Sequence, residues 1–184
     1  MHRDASLLSL HRSSLIPSLI GFLALSAGCG PGDSVDPEGW EEVEASWDSV
    51  EPVLRTYEST HILVTEEPVA STAVPGALIN VWVSEGAVDA YLDLDAHPFP
   101  VGGTIVREVL DGEGVLQSLT MIEKRAAGFS DCGDLLFAKA TADLEPVLTA
   151  EGEPLVGKAT AECASCHLGQ GSRQFLFGVG DEAP

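Results

Sequence analysis

The chain has 184 residues, enough for one domain of ordinary size with appendages. It carries 29 acidic against 9 basic residues, a formal net charge of −20. A surface that acidic repels phosphate backbones and anionic headgroups, which argues against nucleic-acid binding and electrostatic membrane docking; it favours solubility or a basic protein partner.

Residues 1–28 read as an export signal: Arg3 and Arg12 form a basic start, and Leu15 to Leu25 is largely apolar. That run is too short to remain as a spanning helix. Small residues Ser26, Ala27 and Gly28 then lead to Cys29, an exit similar to that of bacterial lipoproteins, although Leu25 stands four residues before the cysteine rather than three. Cys29 is therefore expected to be the acylated first residue of the mature chain, with cleavage nearby and a plain thiol as the alternative. Removing the signal takes away Arg3, Arg12 and Asp4, a net +1, and leaves −21. The expected location is the periplasm or cell envelope, with a lipid anchor as the sole membrane contact.

Residues 29–38, rich in Gly, Pro and acid, read as a tether, and 39–184 as the folded domain. Trp40, Val43, Trp47, Val50 and Leu54 recur at helical steps, which predicts an amphipathic helix broken or kinked at Pro52. From Gly76 the period changes. Residues 77–84 (ALINVWVS), 103–110 (GTIVREVL), 115–124 (VLQSLTMIEK) and 134–141 (DLLFAKAT) read as strands, the middle two joined by an Asp-Gly-Glu-Gly turn at 111–114. Residues 86–96 read as a short helix, and 157–167 as another. The fold class expected is α+β: a mainly antiparallel sheet with an N-terminal helix and a short C-terminal helix.

That last helix carries TAECASCHLGQG, residues 160–171. Cys163, Cys166 and His167 form Cys-x-x-Cys-His, the attachment signature of c-type haem. Residues three apart share a helical face, so both thiols can add across the two vinyl groups at one porphyrin edge. His167 then reaches the iron as proximal ligand, and its second ring nitrogen needs a carbonyl or carboxylate to fix the tautomer. The competing readings are weaker. Zinc wants four ligands, and besides acids only Cys132, His61 and His97 remain. A thioredoxin-like pair wants a βαβ setting that the pattern lacks. A disulfide between Cys163 and Cys166 closes a very small loop. One covalent haem c is the expected cofactor.

Residues 97–109 (HPFPVGGTIVREV), 124–129 (KRAAGF), 133–140 (GDLLFAKA), the haem motif and 172–178 (SRQFLFG), in that order, resemble the cytochrome P-460 family and its cytochrome c′-beta relatives. The likeness runs from about Gly76 to Gly178. It implies a mainly antiparallel β fold, often dimeric, so a homodimer is among the expected partners. In the hydroxylamine-oxidising members a lysine just before the Phe-Pro-x-Gly-Thr strand is bonded to the porphyrin. Here residues 91–103 (YLDLDAHPFPVGG) contain no lysine, which puts that activity in doubt.

The expected function is an exported monohaem cytochrome that binds a small diatomic or nitrogen-oxide ligand, or passes single electrons to a redox protein. A hydroxylamine- or nitric-oxide-processing oxidoreductase is the alternative. His97 is the candidate sixth ligand, its plain reading being a loop histidine facing water. His61 reads as structural, Met121 as core and Cys132 as a loop thiol or small buried residue. One or two of Phe99, Phe129, Phe137, Phe175 and Phe177 are expected to wall the haem. Arg107, Lys124 and Arg125, scarce bases in an acidic chain, are candidates for its propionates, against ordinary salt bridges.

Overall fold

The computed structural model describes residues 45–71, 74–158, 163 and 166–179. The signal segment, Cys29, the tether, Trp40 and Val43 lie outside the described residues, as does most of the helix expected over 157–167.

Helix α1 (Trp47–Thr60) buries Val50, Leu54 and Tyr57, which follow one another at steps of four and three and so share one stripe. Each such side chain contributes about 1.5–3 kcal/mol when withdrawn from water. Pro52 lies inside this single helix, contrary to the break expected there. Its missing N–H deprives only the carbonyl of Asp48, an exposed residue in the first turn that water can serve. The Pro52 carbonyl in turn accepts a 2.8 Å hydrogen bond from the Thr56 hydroxyl.

After α1 come β1 (His61–Leu63), β2 (Val69–Ala70) and β3 (Leu78–Ser84), then a 3-10 turn (Glu85–Ala87) leading into α2 (Val88–Leu92). Strands β4 (Thr104–Leu110), β5 (Leu116–Lys124), β6 (Leu135–Thr141) and β7 (Val156–Lys158) follow, and a 3-10 segment at Leu168–Arg173. All seven strands form one antiparallel sheet in the order β1-β3-β4-β5-β6-β7, with β2 pairing β3 beyond β1. The fold is α+β, mainly antiparallel sheet, with a helix near the N-terminal side. The four strands read from sequence are β3 to β6, with ends shifted by at most one residue. The turn between β4 and β5 is held by Asp111, whose Oδ1 accepts the N–H groups of Glu113 and Val115, each at 2.9 Å.

One correction concerns 157–158. Helix was expected from 157, but Val156–Lys158 is edge strand, with Val156, Gly157 and Lys158 opposite Ala138, Phe137 and Leu136. Open backbone groups along β6 favour pairing there, and helical geometry at Cys163, Cys166 and His167 comes only later.

Strand β4 is buried on nearly every residue because both sheet faces are covered. One face meets α1: Val106, Leu119, Met121, Leu136, Ala138 and Ala140 pack with Val50, Leu54 and Tyr57. There the Tyr57 hydroxyl donates to Glu108 Oε1 at 2.6 Å, and Asn80 Nδ2 donates to Glu108 Oε2 at 2.8 Å. Burial first, and the neighbouring Glu108 second, push the Tyr57 phenol well above its ordinary value. The opposite face, hereafter the site face, carries Ile79, Val81, Val83, Ile105, Ile122, Leu135 and Phe137 against Tyr91, Leu94, Phe99 and Leu176. Among the described residues, no helix is long and apolar enough to cross a membrane.

Candidate functional site

The last strands and the C-terminal segment bring the motif onto the site face. Cys163 and Phe175 pack against its apolar cluster, partly buried. His167 starts the 3-10 segment from a right-handed helical backbone (φ −68°, ψ −29°).

The imidazole of His167 is fixed on three sides. The rings of Phe137, from β6, and Phe177 each stand 4.9 Å away, edge-on, at 63° and 78°. Nδ1 lies 2.7 Å from the carbonyl oxygen of Phe175. A carbonyl only accepts, so Nδ1 bears the proton and Nε2 keeps the lone pair. Burial pushes the His167 pKa below its ordinary value, outweighing the opposing Phe175 hydrogen bond, and favours the neutral ring. A neutral imidazole with Nδ1–H held by a carbonyl is the donor form that metal-bound histidines take. This residue fits the role its position in the motif predicts.

The carbonyl that orients His167 sits in an unusual turn. Gln174 and Phe175 both adopt left-handed backbone (φ 58° and 63°), a conformation costly without glycine. Gly133, in the loop before β6, makes room: a Cβ there would lie 2.5 Å from Phe175 Cδ2 and 3.1 Å from the Gln174 oxygen. Gln174 meanwhile ties the turn to the loop after α2. Its Oε1 accepts the Phe99 N–H at 2.8 Å, and its Nε2 donates to the carbonyls of His97 at 3.0 Å and Leu94 at 3.3 Å. Arg173 adds an ion pair to Asp95 at 3.4 Å. Sequence reading missed Gln174, since the stretch 172–178 stands out by its phenylalanines and a glutamine inside it carries no pattern of its own.

His97 thus joins the site segment through its backbone, while its imidazole is exposed. His61 matches the structural reading: Nε2 meets Thr104 Oγ1 at 2.6 Å and Nδ1 meets Thr60 Oγ1 at 2.9 Å. Burial lowers its pKa too. Met121 and Cys132 are fully buried, Met121 on the α1 face.

The three scarce bases separate. Lys124 Nζ donates to the Gly133 carbonyl at 2.7 Å, and Arg125 pairs with Glu123 at 3.0 Å beneath the Phe129 ring. Arg107 is half-buried on the site face, and no ion pair to it occurs among the described residues. Within the same residues, no three His, Cys, Asp or Glu side chains converge as a site for a bare metal ion. No protein-family model matches the chain, and neither does any curated protein.

Proposed function

We propose that the protein is an exported c-type cytochrome with one covalent haem, similar to the cytochrome P-460 family, and that it binds a small diatomic or nitrogen-oxide ligand. The observation that carries this reading is the orientation of His167, the last residue of Cys-x-x-Cys-His. Its Nδ1–H is committed to the Phe175 carbonyl, so Nε2 is left as a metal donor. Cys163 and Cys166 would form the two thioethers, from the segment that follows β7. Haem held there would supply reversible one-electron chemistry and a metal that can bind a small ligand.

Each neighbouring group has a part in this reading. Phe137 and Phe177 exclude water from the imidazole and keep its ring from rotating. Gln174 and the Asp95–Arg173 pair hold the 94–99 loop, which under the family likeness would lie near the distal side. The exposed imidazole of His97 favours ligand binding at an unblocked iron over electron transfer through a six-coordinate one. With no lysine in residues 91–103, the porphyrin cross-link of the hydroxylamine oxidases has no donor at the matching place. The signal at 1–28 and acylation at Cys29 would put the domain on a lipid anchor in the cell envelope.

Spin state tests the open position. The ferric mature protein is expected to show a high-spin absorption and spin-resonance spectrum that His97→Ala leaves unchanged. A low-spin spectrum that turns high-spin in His97→Ala would replace the ligand-binding reading with that of an electron carrier.

A further inference from the structure

One row of the site face holds three polar side chains, Arg107, Thr120 and Lys139, that the reading above does not use. Val81, Arg107, Thr120 and Lys139 stand opposite one another across β3, β4, β5 and β6. Residues directly paired in antiparallel strands share a face, so all four project to the His167 side. The next row along the strands is Val83, Ile105, Ile122 and Phe137, and Phe137 packs on His167. Arg107 therefore lies roughly 7 Å along the strands from the row that walls the imidazole, and roughly 10 Å across the sheet from Lys139.

Charge on this face is one-sided. The only acidic residues of β3 to β6 are Glu108 and Glu123, and both project towards α1, opposite the site face. Arg107 is half-buried near Tyr91, which packs on the same face from α2. A guanidinium does not shed its proton inside a protein, and a buried cation is costly unless an anion joins it. Among the described residues neither Arg107 nor Lys139 makes an ion pair, in a chain where acids outnumber bases three to one. Burial lowers the Arg107 pKa.

We propose that Arg107, with Thr120 and Lys139 beside it in one row, is an oxyanion seat next to His167. The planar fork of a guanidinium matches a carboxylate or nitrite in two parallel N–H···O bonds, and Thr120 adds a neutral donor. The oxyanion is either a propionate of the haem itself or a free anionic ligand. This inference rests on the haem reading of the site.

The test uses the haem-loaded mature protein and two variants, Arg107→Gln and Arg107→Lys, with nitrite titrated against the ferric absorption spectrum and the midpoint potential measured. If the seat takes a free oxyanion, Arg107→Gln weakens nitrite binding by roughly ten- to a hundredfold, the loss of a charge-assisted hydrogen bond, and Arg107→Lys restores part of it. If it takes a propionate, nitrite binding is unchanged but the potential of Arg107→Gln falls, because a carboxylate near the iron loses its counter-cation; Arg107→Lys keeps the potential. Haem-loaded Arg107→Gln with both nitrite affinity and potential unchanged would overturn the seat. A wild type without haem would defeat the underlying reading instead, and would show before any variant is made.

Discussion

Gly133→Ala is expected to destabilise the folded protein by about 2–4 kcal/mol and to loosen His167. Two costs combine. The backbone at Gly133 has φ +65°, where an L side chain is strained. The new methyl would also sit 2.5 Å from Phe175 Cδ2 and 3.2 Å from Cε2. Phe175 cannot simply swing aside, because its own left-handed backbone presents the carbonyl that holds His167 Nδ1. Urea unfolding of the mature protein gives the stability, and the ferric spectrum reports the imidazole. Phe175→Leu in the Gly133→Ala background should recover the overlap part of the loss and leave the backbone part. A Gly133→Ala protein within about 0.5 kcal/mol of wild type would show that the turn is not packed as described.

Tyr57→Phe is the second large effect, and it acts on the other sheet face. Glu108 is only 8% exposed, and both its oxygens accept hydrogen bonds, one from Tyr57 on α1 and one from Asn80 on β3. Removing the phenol leaves a buried carboxyl oxygen without its donor, at a cost of about 1.5–3 kcal/mol. Tyr57 also meets the Trp82 ring edge-on at 5.5 Å, a contact that Phe keeps, so the variant isolates the hydroxyl. Urea unfolding is again the measurement. The coupling between Tyr57→Phe and Glu108→Gln, taken as a double-mutant cycle, should be of the same sign and exceed about 0.5 kcal/mol; additive losses would remove the pair as a link between helix and sheet. The site face should be untouched, so under the proposed haem reading the spectrum of Tyr57→Phe is expected to equal that of wild type.

How much of this was legible depends on how far each feature repeats along the chain. Strands β3 to β6 announce themselves because β-branched and apolar residues run through them, and the Asp111 turn has a chemistry of its own. Helix α1 was legible in its stripe but not in its continuity, because a proline removes only one hydrogen bond and near the first turn that loss is met by water. Strand β7 was not legible. Val156-Gly157-Lys158 is too short to alternate, and its pairing is decided by the open edge of β6 rather than by its own residues. In the proposed site, Cys163, Cys166 and His167 stand out in the sequence because their spacing is that of a haem-attachment motif. The groups that orient His167 do not, since Gln174 and Phe175 take left-handed backbone without glycine and Gly133 acts through a side chain distant in sequence. Arg107 was noticed as a scarce base, but only the partners seen in the structure, the Gly133 carbonyl for Lys124 and Glu123 for Arg125, separated it from the other two.

The central claim is tested most directly by the mass of the denatured mature protein made in a host that attaches haem outside its cytoplasm. The account predicts a coloured protein whose mass exceeds that of the chain, with any lipid, by one haem that denaturation does not release, and which Cys163→Ala/Cys166→Ala lacks. A colourless wild type at the mass of the bare polypeptide plus any lipid would contradict it.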